Sequence, residues 1–352
     1  MSIEVRQCLA VGLQTKVIGI ETVMVRLLAG DIGGTKTLLR LVELTPTGTV
    51  LCHEQEYASA QYPHLTPMVK QFLQEANSEL PVAACFAIAG PVQDDRSLVT
   101  NLSWQLDARQ MEIDLGIAQV RLINDFAAVG YGILALQPDD VVVLQQGNVV
   151  PHAPMAVLGA GTGLGEALLV WQQDRYVVMP TEGGHADFAA RTDLEIGLLQ
   201  FLRQQYGRVS VERVVSGQGI YRIYEYLRSI PYAPPSPNVE AQLKQDDPSA
   251  VVARHALDAT DKMCEKALDL FIAAYGAEAG NLALKSLPYG GLYLAGGVGA
   301  KVLPKMQDGN FLENFLEKGR MRSLLEGIQI SLILNSKVGL LGALHYAKSV
   351  ID

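Results

Sequence analysis

Cysteine is scarce in this chain. Among 352 residues there are four, Cys8, Cys52, Cys85 and Cys264, far apart and with no Cys-x-x-Cys pair. That spacing argues against a zinc site and a disulfide framework, and a reducing cytoplasm suits it. Positive charge is also short, with 28 Lys and Arg against 37 Asp and Glu and a formal net charge of −9. Phosphate backbones are bound through excess Lys and Arg, so no nucleic-acid partner is expected. No apolar run approaches the roughly 18 residues of a membrane helix, and the first residues lack a signal-peptide pattern. No membrane partner is expected either. At 49% hydrophobic and 18% charged residues the composition is that of a globular chain, and its length predicts two domains.

No Gly-x-x-x-x-Gly-Lys-Ser/Thr phosphate loop occurs, nor does the protein-kinase Gly-rich loop with its partners. Glycine is nevertheless placed with purpose. The stretch Gly30-Asp31-Ile32-Gly33-Gly34-Thr35-Lys36-Thr37 lies between two apolar runs, Met24 to Ala29 and Leu38 to Leu44, and predicts a hairpin. Adjacent glycines can fold tightly and aim amide hydrogens at an anion, with the Thr35 hydroxyl and Lys36 cation beside them. Asp31 would repel phosphate but suits a divalent metal, held directly or through water. Phosphate and metal together suggest a nucleotide. An ordinary Gly-Gly hairpin with a solvated Asp is the plainer alternative.

Strands are expected over Val50 to Tyr57, Val82 to Ala89 and Val120 to Ile123, with a helix capped by Thr66 before Pro67 and another over Phe126 to Leu136. The layout then restarts. Met155 to Leu158, the turn Gly159-Ala160-Gly161-Thr162-Gly163-Leu164-Gly165, Glu166 to Trp171 and Tyr176 to Met179 repeat strand, glycine turn, strand, strand. Two related α/β lobes facing a cleft follow from that repetition. Further on, Thr192 opens a helix with capping-box spacing, Ser210 caps a second with Glu212 in its first turn, and helical spacing runs from Ser249 to Tyr275. A third glycine turn, Gly296-Gly297-Val298-Gly299, follows the strand Leu292 to Ala295. A last strand, Ile328 to Leu334, precedes a closing helix over Val338 to Val350. The three turns fit one nucleotide held across the cleft. Residues Met1 to Val23 add nothing the first strand needs, and Met24 is the expected natural start.

Asp31-x-Gly-Gly-Thr, Asn124-Asp125-Phe126, Leu158-Gly-Ala-Gly-Thr-Gly-Leu-Gly165, Glu182-Gly-Gly-His185 and Leu294-Ala-Gly-Gly297 stand in the order and spacing of bacterial glucokinases. From about Met24 to its end the chain resembles that family. The related ROK group shares the first motif but carries a Cys-rich zinc segment after its Glu-x-Gly-His. Here no cysteine follows His185 until Cys264, so the zinc-free branch is the closer match. Lys36 departs from that branch and looks more like the ROK group.

The resemblance implies an α/β fold of the two-lobed, actin-like ATPase type (ribonuclease H-like), with nucleotide and sugar in the interlobe cleft. Residues 24–135 and 326–352 would form the small lobe and 136–325 the large one. It implies ATP-dependent phosphorylation of glucose in the cytoplasm, with Mg2+, no zinc, and a homodimer. Asp125 would be the general base, since transfer to a sugar hydroxyl needs a carboxylate to accept its proton. Capping the next helix is the other use of Asn124-Asp125. Asn101, Asn124, Glu182, His185 and Glu212 would bind the sugar. Gly30, Asp31, Ile32, Gly33, Gly34, Thr35, Gly161, Thr162, Gly163, Gly296 and Gly297 would surround the nucleotide, with Asp31 on the metal. A sugar-sensing regulator, an actin-like ATPase without sugar acceptor, and a kinase of another hexose are the rival readings.

Overall fold

The computed structural model describes residues 25–99, 102–234 and 236–351. Asn101 and the segment before Met24 therefore lie outside the described residues.

Elements are numbered in chain order. One sheet holds β1 (Val25–Ile32), β2 (Lys36–Thr45), β3 (Gly48–Ala58), β4 (Ala83–Ile88) and β8 (Gln119–Asn124) in the order β3-β2-β1-β4-β8. β1, β2 and β3 pair antiparallel, whereas β4 and β8 run parallel to β1. The second sheet repeats this with β10 (Met155–Ala160), β11 (Leu164–Gln172), β12 (Arg175–Thr181), β13 (Leu292–Ala295) and β14 (Ile330–Ile333), in the order β12-β11-β10-β13-β14. An edge strand, β9 (Val141–Gln145), pairs antiparallel with β14. A small third sheet of β5 (Val92–Gln93), β6 (Arg96–Val99) and β7 (Trp104–Asp107) had no clear signal in the sequence. Because β14 belongs to the second sheet, the chain returns to the first lobe only after it, later than the expected 326.

The helices build three layers around these sheets. α1 (Leu65–Ala76) and α2 (Ala108–Leu115) cover one face of the first sheet through Leu65, Met68, Phe72 and Met111. Between the sheets lie α3 (Asp125–Ile133) and α13 (Val338–Ser349): Ala128, Leu340, Ala343 and Ala347 pack on Ala29, Cys85 and Ala87, while Ala127, Ile133 and Val338 pack on Val157, Ala167 and Ala295. α4 (Asp193–Tyr206), α5 (Gly217–Ser229), α6 (Pro237–Gln242), α7 (Pro248–Leu257), α8 (Lys262–Ser286), α9 (Gly297–Lys301), α10 (Leu303–Met306), α11 (Asn310–Leu316) and α12 (Arg322–Glu326) complete the chain. α4, α5, α7, α8 and α11 bury the largest core, against the other face of the second sheet. β4 is buried at every position, as its continuous apolar run requires in a sheet covered on both sides.

Three helix starts differ from expectation. α1 is capped by His64, whose Nδ1 accepts from the Thr66 amide at 3.3 Å; starting two residues earlier than expected brings the buried Leu65 into the helix. Ser210 precedes only a 3-10 turn over Val211–Arg213, and α5 starts behind Ser216, whose hydroxyl accepts from the Gly219 amide. The run from Ser249 breaks after Leu257 and resumes behind Asp261, which accepts from the Cys264 amide at 2.8 Å. Asp247 caps α7 in the same way, accepting from the Ser249 amide at 2.9 Å; at both caps the carboxylate satisfies amides that the first turn leaves free. The Thr192–Glu195 capping box forms in both directions.

Candidate active site

β1 and β8 both end at the cleft between the sheets. Asp31, the seventh residue of β1, and Asp125, the first of α3, line one cavity of about 340 Å³ with Gly296, Gly297, Asn335, Ser336 and Gly339. Side chains beyond the carboxyl ends of parallel strands are where such folds hold ligands. No Lys or Arg pairs with either carboxylate among the described residues. Burial first, and the Asp125 charge second, push the Asp31 acid up to about 6. Burial also raises Asp125, with Glu182 adding to it, against the downward pull of the Phe126 amide and the Asn124 side chain. A raised carboxylate is a stronger base.

The Asn124-Asp125 pair caps the next helix, one of the two uses the sequence allowed, and leaves the Asp125 carboxylate on the cavity. Asn124 Oδ1 caps α3, accepting from the amides of Phe126 and Ala127 at 2.9 and 3.0 Å. Its Nδ2 donates to Gly90 O and to Asp125 Oδ1 at 3.1 and 3.0 Å. With these bonds made, both polar atoms of Asn124 are occupied, and its amide holds the Asp125 carboxylate in place.

A second, larger cavity of about 730 Å³ shares Gly297 with the first. Gly161 and Thr162 form its floor, and the start of α5 with Tyr206, Arg222 and Lys301 forms its walls. An added Cβ at Gly161 or Gly297 would meet nothing within 4 Å, so both expose backbone to whatever fills the space. Gly296 has φ +82°, and a side chain there would strike the Ala160 carbonyl; glycine is required. Arg222 donates to Tyr206 Oη and Gln218 Oε1 at 3.2 and 2.6 Å.

Other expected nucleotide residues take different work. Gly30 and Ile32 face the core, where a Cβ at Gly30 would lie 2.6 Å from Phe86. Gly33 is outside the left-handed region and its amide donates to Lys36 O at 2.9 Å, so it is not aimed at an anion. Gly33, Gly34 and Thr35 line neither cavity. Lys36 pairs with Glu56 on β3 at 2.7 Å. At Gly163 a Cβ would strike Glu212, whose Oε2 accepts from the Leu164 amide at 3.0 Å. Glu212 thus braces the second glycine turn.

Glu182 and His185 stand 3.8 Å apart at the end of β12, both side chains mostly exposed. Their corner is not the flexible one expected. A Cβ at Gly183 would strike the Glu166 carboxyl and one at Gly184 the Leu164 carbonyl, so close packing demands both glycines. Arg208 fixes the corner by donating to His185 O at 2.6 Å and pairing with Asp187 at 2.7 Å.

Sequence reasoning missed Arg222, Tyr206 and Gly339. Arg222 lies inside α5, Tyr206 ends α4 and Gly339 is the second residue of α13, and none carries a local signature of a cavity wall. Lys301 could have been found, five residues after the third glycine turn begins.

Two lobes of repeated strand order, with unpaired carboxylates between them, define the two-lobed actin-like fold of the sugar kinases. The glucokinase sequence profile matches residues 28–350, and the chain belongs to the glucokinase family of enzymes. It is 51% identical over 335 residues to the glucokinase of Nostoc punctiforme, covering 91% of this chain and 98% of that relative. A crystal structure of glucokinase from an Antarctic psychrotroph matches with a TM-score of 0.82 at 29% identity, over 92% of this chain and 99% of the other. A ROK family glucokinase from Streptomyces griseus, in complex with glucose and AMPPNP, has a TM-score of 0.61 at 20% identity, over 93% and 99%.

Proposed function

We propose that this enzyme transfers the γ-phosphoryl group of ATP to the 6-hydroxyl of D-glucose, with Asp125 as general base. The observation that carries the reading is the pair of joined cavities. One has unpaired carboxylates at a strand tip, the other an open glycine floor, and they meet at Gly297. ATP fits the larger, its phosphates over Gly161, Thr162, Gly296 and Gly297. Glucose fits beyond Asp125, its hydroxyls toward Glu182 and His185. Asn101 belongs to the same sugar set by the family resemblance.

Asp125 takes the 6-hydroxyl proton while that oxygen bonds to the γ-phosphorus in line, and the bond to the β-phosphate oxygen breaks to release ADP. Asn124 keeps Asp125 turned toward the sugar. Asp31 would hold Mg2+: a half-buried carboxylate without a cationic partner, beside a second one, is a site short of positive charge, and magnesium uses one or two carboxylates plus phosphate oxygens. The ion would offset charge on the transferring group. Glu182 and His185 are exposed, so the lobes close on glucose before transfer, which excludes water as acceptor. A cytoplasmic homodimer is part of the same proposal.

The test is phosphorylation of a hexose panel with Mg·ATP, wild type beside Asp125→Asn. Glucose 6-phosphate is the expected product, and the folded variant should lose on the order of a hundredfold or more in turnover. Equal ATP hydrolysis with and without every sugar would replace this reading with that of an ATPase.

A further inference from the structure

Glu166 sits in β11 between Leu164 and Leu168, on the face that meets α8, with only 4% of its surface exposed. Its Oε1 has no hydrogen-bond partner, and no cation pairs with it among the described residues. Its Oε2 fills the space a Cβ on Gly183 would need. The carboxyl is therefore a strut beneath the Glu182–His185 corner, and nothing in the transfer step uses it. The titratable groups that act on it are Glu278, Lys285 and Tyr275, all from α8, while the Glu182 and His185 side chains of the corner are mostly exposed. Glu278 is buried, and its Oε2 accepts from Asn281. Tyr275 donates to Leu158 O at 3.3 Å and lies 3.4 Å from Ala295 O, so its hydroxyl is occupied. Burial first and Glu278 second, against the attraction of Lys285, bring the Glu166 acid up to about 7.

A neutral acid can rest in this slot. A carboxylate there lacks both water and a counterion, and its way out lies past Gly183. We propose that Glu166 is a positioning residue for the sugar: as the neutral acid it supports Gly183, and with it Glu182 and His185, and on ionisation it displaces the corner and weakens glucose binding. This rests on Glu182 and His185 being sugar ligands. Binding that selects the protonated form takes up a proton and loses strength as pH rises.

The experiment is the glucose KM from pH 6 to 8.5 for wild type, Glu166→Gln and Glu182→Gln, with glucose calorimetry at pH 7.5 in buffers of different ionisation enthalpy. Wild-type KM should rise on the order of tenfold across that range. Glu166→Gln, an uncharged isostere, should give the low-pH wild-type KM at every pH and remove the proton uptake. A Glu166→Gln profile that climbs in parallel with wild type overturns the proposal and leaves the sugar site standing. A Glu182→Gln enzyme with unchanged glucose KM overturns the sugar site itself. Should Glu166→Gln fail to fold, wild-type calorimetry decides, and binding without net proton uptake refutes the role.

Discussion

Replacing Asp31 by Asn should make the protein more stable and far less active. Burial and the Asp125 charge lift the Asp31 acid from 3.8 to about 6, and about 1.4 kcal/mol per unit makes that about 3 kcal/mol. The sign follows from linkage. A folded-state value above the unfolded one means that Asp31 contributes stability below about pH 3.8, which is lost as pH rises through 6. Above that, the ionised side chain is a net cost to folding. Asn keeps the shape without the charge, so at pH 8 Asp31→Asn should gain up to about 3 kcal/mol over wild type, and near pH 4 almost nothing. Activity should fall on the order of a hundredfold or more, because the carboxylate proposed to hold the metal would be gone and the one left, Asp125, is needed as the proposed base. Urea unfolding by circular dichroism at pH 4, 6 and 8, beside turnover with Mg·ATP, reads both effects. Equal midpoints at pH 8 would refute the claim that this buried charge is uncompensated, and full activity would refute its metal role.

With Asp125 as the proposed base, ionised to accept a proton and raised by burial, the acid limb of the wild-type pH–rate profile should lie above the usual carboxylate range; a limb near pH 4 in kcat/KM would contradict that. Arg222→Ala should raise the ATP KM about tenfold, the value of one lost charged hydrogen bond, and leave the glucose KM alone; the reverse pattern in initial rates would put the nucleotide elsewhere. Gly342→Ala should cost roughly 1–3 kcal/mol or more in urea unfolding, because its Cβ would enter the Ala128 carbonyl on α3. Small-angle scattering should show compaction on adding glucose, and an unchanged radius of gyration would remove closure from the mechanism.

What the sequence made legible was what is encoded locally. The hairpin with its glycine turn recurs at Met155 because each copy needs only its own few residues, and the strand order repeats accordingly. The role of each glycine was not legible, since it depends on what arrives from elsewhere. Gly159 and Gly165 look like phosphate-loop residues, yet a Cβ on either would strike the ring of Phe126, the second residue of α3, which follows the first sheet. Asn124 read as a sugar ligand and spends both polar atoms on α3, Gly90 and Asp125. Asp31 and Asp125 were legible singly, but their shared cavity depends on α13, more than two hundred residues away.

The contact between α3 and α13 explains why those two carboxylates meet. A Cβ at Gly132 would strike the Val338 carbonyl and one at Gly342 the Ala128 carbonyl, so glycines let the helices touch backbone to backbone. Both helices then start at one cavity: Asp125 is the first residue of α3, and Gly339, in the first turn of α13, would bring a Cβ within 3.6 Å of Asp31. Helix N-termini favour negative charge by up to about 2 kcal/mol in partly buried settings. Yet both acids are raised, so desolvation outweighs whatever the helix ends supply. The middle layer gathers negative charge faster than the protein neutralises it, and a divalent cation arriving with the phosphates is the group that would restore the balance.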